Sequence, residues 1–144
     1  MTDKLVRGFA LFMNWFDGLC APVCGLWMMA SALFVLPLSW NEWMPVSILD
    51  PLPLPAFMKE NLFWAGLALL FVNGLPNVIA LALRFKDDLA TSYSWGIAAG
   101  ILLILWTAFE LAFIPNGVSA FYLVLGILQL LASWRSRVAL SYCG

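Results

Sequence analysis

Residues 70–85, "LFVNGLPNVIALALRF", sit inside a long apolar run yet place Asn73, Gly74, Pro76 and Asn77 within five residues. Glycine and proline weaken a helix, and an amide turned toward lipid has nothing to bond. The run around them, roughly 61–83, has about the ~20 residues that a bilayer-crossing helix needs. Three further runs, roughly 18–38, 93–113 and 118–134, are similarly apolar. The 144-residue chain is 64% hydrophobic and 10% charged, against about 25% charged in a soluble domain. This composition predicts an all-α integral membrane protein. It has four transmembrane helices in a single domain over 1–144, with an outer loop over 39–60.

Between the first two runs, "SWNEWMPVSILDPLPLPAFMKE" carries Pro45, Pro51, Pro53 and Pro55, which stop helix and favour extended backbone. Its length predicts an ordered cover over one end of the bundle. Charged "RFKDDLATS" separates the second and third runs, and only "IPNG" separates the third and fourth. Pro115, Asn116 and Gly117 predict a tight antiparallel hairpin there. With four spans, Lys4, Arg7, Arg84, Lys86, Arg135 and Arg137 fall on one side and Lys59 alone on the other. That asymmetry predicts a multi-pass membrane protein with both termini cytoplasmic. Trp40, Trp43, Trp95 and Trp134 fall near span ends, where aromatic rings favour the headgroup level.

Ahead of the first run, Leu5, Phe9, Phe12 and Phe16 share one helical face and Asp3, Arg7, Asn14 and Asp17 the other. The pattern predicts an amphipathic helix over 5–17 lying on the inner membrane surface. The competing arrangement is one long tilted helix over 9–38 with its polar side against a partner. No small-residue cleavage site closes the run, so it is expected to stay in the chain as a span.

Asn73 and Asn77 are one turn apart and share a face. Counting 1.5 Å per residue puts Asn73 ~18 Å below the outer surface, with Gln129 of the fourth run at about the same depth. These amides either bond across helices and satisfy the Val72 carbonyl freed by Pro76, or line a broken helix that binds a polar group. Glu110 is read as the one carboxylate well inside a predicted run. With the hairpin tip at "PNG", it is expected opposite Tyr122, ~7–8 Å inside the surface, with Thr107 one turn earlier. A membrane-embedded acid is by default a candidate proton or ligand site; the structural alternative is an anchor for the hairpin. Gly96 and Gly100 in "WGIAAG" predict a close helix-packing face with its partner left open. Cys20 and Cys24 in "CAPVC", and Cys143, are read as apolar thiols of the cytoplasmic side rather than a redox or metal pair.

The sequence contains no histidine, which removes the usual haem ligand and the commonest zinc ligand. No base is paired with a nucleophile, so an enzyme is disfavoured, and no cofactor or metal is expected. A net charge of −1 gives no basis for a nucleic-acid partner.

Three stretches, "GLALLFVNGLPNVIALAL", "GILLILWTAFELAF" and "FYLVLGILQLLASW", resemble a group of short, four-span bacterial membrane proteins in order and spacing. The resemblance covers roughly 61–134, with Gly74, Trp106 and Glu110 at the matching positions. It implies the four-span topology and a bacterial inner membrane, and it supplies no activity to carry over.

The expected function is that of a non-enzymatic accessory or scaffold subunit of a membrane complex, whose partners are membrane lipid and another membrane protein or a second copy. One alternative is a homodimeric proton-coupled carrier of a small apolar or cationic molecule, with Glu110 as coupling acid and Asn73 and Asn77 lining the path. Another is a lipid- or quinone-binding membrane protein.

Overall fold

The computed structural model describes residues 3–142, and these contain helices and turns without a strand. The helices are α1 (Asp3–Leu33), α2 (Ala56–Lys59), α3 (Phe63–Leu69), α4 (Leu75–Phe85), α5 (Leu89–Phe113) and α6 (Gly117–Ser141). A single π-turn at Leu70–Gly74 joins α3 to α4, so Phe63–Phe85 is one rod. This rod, α1, α5 and α6 are each long and apolar enough to cross a membrane. Cys143 lies outside the described residues.

No break separates residues 5–17 from the first span: α1 is one helix of 31 residues. At 1.5 Å per residue it is about 46 Å long, more than the ~30 Å hydrocarbon layer. The polar side turns inward beyond its first turns. Asn14 and Asp17 are buried, while Asp3 is exposed and Leu5 and Phe12 on the other side are exposed too. A separate surface helix is therefore not formed: Asn14 accepts from Gln129 of α6 inside the ring. Helix α1 ends at Leu33, earlier than expected. Pro37 restricts the residue before it, and Trp27 Nε1 donates to the Leu38 carbonyl at 3.1 Å, folding the chain back.

The four long helices run up and down in a ring, each packed on its neighbours in the chain, with α6 returning to α1. Small residues set the spacing. A Cβ at Gly25 of α1 would lie 2.6 Å from the Gly66 carbonyl of α3, so only glycine permits that crossing. Helices α5 and α6 are joined by residues 114–116 alone. Asn116 caps α6, its Oδ1 accepting from the Ser119 N–H at 2.8 Å.

Residues 34–62 fold back over one end as a cap, with short helical turns at Trp40–Glu42, Val46–Leu49 and α2. Leu49, Leu52 and Leu62 bury against Met28, with Trp40, Met44, Phe109 and Ile114 packed around them. Lys59 Nζ donates to the carbonyls of Asp50 and Leu52 at 3.2 and 3.4 Å, pinning the proline-rich segment. The other end holds a smaller cluster of Val6, Ala10, Tyr93 and Ala132, with the Arg84 guanidinium 4.7 Å from the Tyr93 ring centre.

Candidate functional site

The interior of the ring is polar for much of its length. Asn14, Asp17, Asn73, Asn77, Ser92, Thr107, Gln129, Ser133 and Ser136 are all buried, while Leu19, Val23, Leu105, Phe121 and Leu131 point outward. In lipid this inversion is favourable, since apolar side chains lose nothing outside and polar ones find partners inside.

The centre of the polar interior is Gln129. Its Nε2 donates to Asn77 Oδ1 at 2.7 Å and more weakly to Asn14 Oδ1 at 3.3 Å, linking three spans. Asn77 Nδ2 in turn donates to the Asn73 carbonyl at 2.7 Å. The odd residues of the opening stretch thus have distinct jobs. In the π-turn the Leu75 N–H reaches the Leu70 carbonyl, five residues back. Gly74 receives Pro22 of α1, whose Cγ lies 2.9 Å from where a Cβ would stand. Asn77 packs on Gly18, which holds the amides inside the ring.

The expected packing face on α5 has α6 as its partner. A Cβ on Gly100 would lie 2.7 Å from the Leu130 nitrogen. A Cβ on Gly96 would lie 2.6 Å from Ser133 Oγ and 3.6 Å from Asn14 Oδ1, so this glycine makes room beside the amide cluster.

Glu110 occupies a different place, near the cap. Its Oε1 accepts from Trp106 Nε1 at 2.9 Å and its Oε2 from Ser119 Oγ at 2.7 Å. Asn116 Nδ2 donates to the same Ser119 hydroxyl at 2.9 Å and to the Ile114 carbonyl at 2.8 Å. The expected pairing with Tyr122 is replaced by Ser119, nearly one turn away. The reversal is centred on 114–116 rather than on "PNG", because Asn116 acts as the helix cap and α6 starts directly after it. Thr107 does not join Glu110 either; its hydroxyl bonds the Leu103 carbonyl of its own helix at 2.7 Å. Tyr122 faces α1 near Asp17, Cys20 and Cys24 instead. Cys20 and Cys24 are free thiols, and no group of three metal-ligating side chains occurs among the described residues.

No family model, no curated protein and no solved structure matches this chain. The site is therefore read from its own geometry.

That geometry contains residues the sequence reading missed. Asp17 is a second carboxylate inside a long apolar helix, 3% exposed, and its Oδ2 has no hydrogen-bond partner. Asn14 and Asp17 were assigned to the wet side of a surface helix. The signal that could have found them is the buried stripe Ala10, Asn14, Asp17, Ala21, Gly25 and Met28, at unbroken spacings of three and four. Such a stripe marks one continuous packed helix. Ser133 and Ser136 share a face with Gln129 for the same reason. Two surface depressions, around Gly8 on α1 and between Ala90 and Trp134, do not include any of these residues.

Proposed function

We propose that this protein is a non-enzymatic accessory or scaffold subunit of a membrane complex, in a bacterial inner membrane with both termini cytoplasmic. The carrying observation is the cap. Its backbone is anchored by Lys59 and the Leu49–Leu52–Leu62 cluster, yet Trp43 is 72% and Phe57 53% exposed on it, and Phe34 and Val35 at its start are exposed too. Large apolar side chains held on an ordered surface suit contact with another protein or with the membrane interface. The orientation rests on Arg7, Arg84 and Arg135, which lie six or seven residues from Asn14, Asn77 and Gln129 toward the same end of the bundle.

The carrier reading through Glu110 has less support, because both of its oxygens already accept hydrogen bonds. The test is gentle extraction from native membranes followed by native mass spectrometry. The expected particle is this chain plus a different polypeptide, and Trp43→Ser with Phe57→Ser weakens its recovery. A lone chain, or a complex indifferent to the cap substitutions, would count against the proposal.

A further inference from the structure

The structure assigns a second role to the bundle interior: we propose that Asp17, with the side-chain oxygens of Asn73 and Gln129, forms an internal site for one monovalent hard cation. Three observations lead there. Asp17 is buried in the middle of α1, and among the described residues the only salt bridge is the exposed Arg135–Asp3 pair. A carboxylate without a basic partner in such surroundings needs a proton or a bound cation to neutralise it.

The second observation is the company it keeps. Asn73 Oδ1 and Gln129 Oε1 are buried and also without partners. Buried polar atoms are rarely left so, and several together mark an occupant. A chain of contacts connects these groups. Asn14, one turn from Asp17, meets Gln129, and Asn77 bonds both Gln129 and the Asn73 carbonyl while packing on Gly18, next to Asp17. The oxygens come from three spans, as they do where unwound helices hold cations inside transport proteins.

The third observation is charge. One carboxylate and two neutral amides carry a single negative charge, which one monovalent cation cancels and a divalent one overshoots. Carboxylate and amide oxygens are hard ligands, suited to Na⁺. The titratable groups facing Asp17 are Cys20 and Cys24 on its own helix and Tyr122 on α6. On α4, Arg84 lies seven residues from Asn77, about 10 Å. On α5, Tyr93 and Glu110 lie three and fourteen residues to either side of Gly96, which stands beside Asn14.

The test uses the full chain in lipid nanodiscs, wild type beside Asp17→Asn and Asn73→Ala. Infrared difference spectra of the carboxyl region are recorded in Na⁺ and in N-methylglucamine, from acid to alkaline pH, together with binding of radioactive sodium. Asn73→Ala removes an amide that bonds no other side chain, so the fold keeps its network if Asp17→Asn fails to assemble. The expected result is a carboxyl signal, lost in Asp17→Asn, that responds to Na⁺, with sodium binding down at least tenfold in Asp17→Asn and severalfold in Asn73→Ala. A carboxylic-acid band that titrates without responding to Na⁺ would show that Asp17 holds only a proton and would overturn the proposal, as would Asn73→Ala behaving as wild type in both measurements.

Discussion

Two carboxylates sit inside the long helices beyond their first turns, Asp17 of α1 and Glu110 of α5, and the fold treats them oppositely. Glu110 is served by near neighbours: Trp106 one turn back, and Ser119 and Asn116 across a three-residue turn. Every oxygen is used, and the result staples α5 to α6. Asp17 stands where distant parts of the chain meet, with Asn14 bonded by Gln129, Gly18 packed on Asn77 and Tyr122 of α6 nearby, and its Oδ2 is left open. A carboxylate saturated by local partners stabilises the place where it stands. One gathered among distant amides and left unsaturated costs the fold stability, which is the expected signature of a site.

That contrast can be broken or sharpened by measuring unfolding in mixed micelles. The largest effect is expected at the hub of the open site. Gln129→Leu removes the donor shared by Asn77 and Asn14 and should lower stability by about 2 kcal/mol. Asp17→Asn should act in the opposite direction. In N-methylglucamine at alkaline pH, with the carboxylate empty and charged in the wild type, the variant should be more stable by about 1–2 kcal/mol. A loss there would erase the difference between the two acids. Glu110→Gln keeps an acceptor for Trp106 but gives up a charge-assisted bond to Ser119, so a loss of about 1 kcal/mol is expected. A gain like that of Asp17→Asn would show that Glu110 too is held against its preference. The smallest effect belongs to Tyr122→Phe. With Ser119 in its place beside Glu110, the change should stay within about 0.5 kcal/mol.

The four long helices could be read from the sequence because length and apolarity alone decide them. The tight hairpin followed from Pro115, Asn116 and Gly117, and its register missed by nearly a turn because the capping role of Asn116 moves the centre of the reversal. The depth count set Gln129 level with Asn73, whereas Gln129 bonds Asn77, one turn further along the helix. The place of Asp17 stayed open between two arrangements for a physical reason. An amphipathic pattern tells which side of a helix is polar, but not whether that side faces water or a ring of amides. The answer lay in residues more than fifty positions away.

The π-turn at Leu70–Gly74 has a consequence best put as phase. Gly66 and Gly74 both face α1, where they meet Gly25 and Pro22. They are eight residues apart, and in an unbroken α-helix two turns take only 7.2 residues, which would swing the second glycine about 80° off the first. The extra residue of one π-turn makes eight residues close to two full turns, so both glycines return to the same side. The same residues wound as an unbroken α-helix would lose that coincidence. They could keep the glycine crossing near the cap or the asparagines inside the ring, but one rigid helix could not present both.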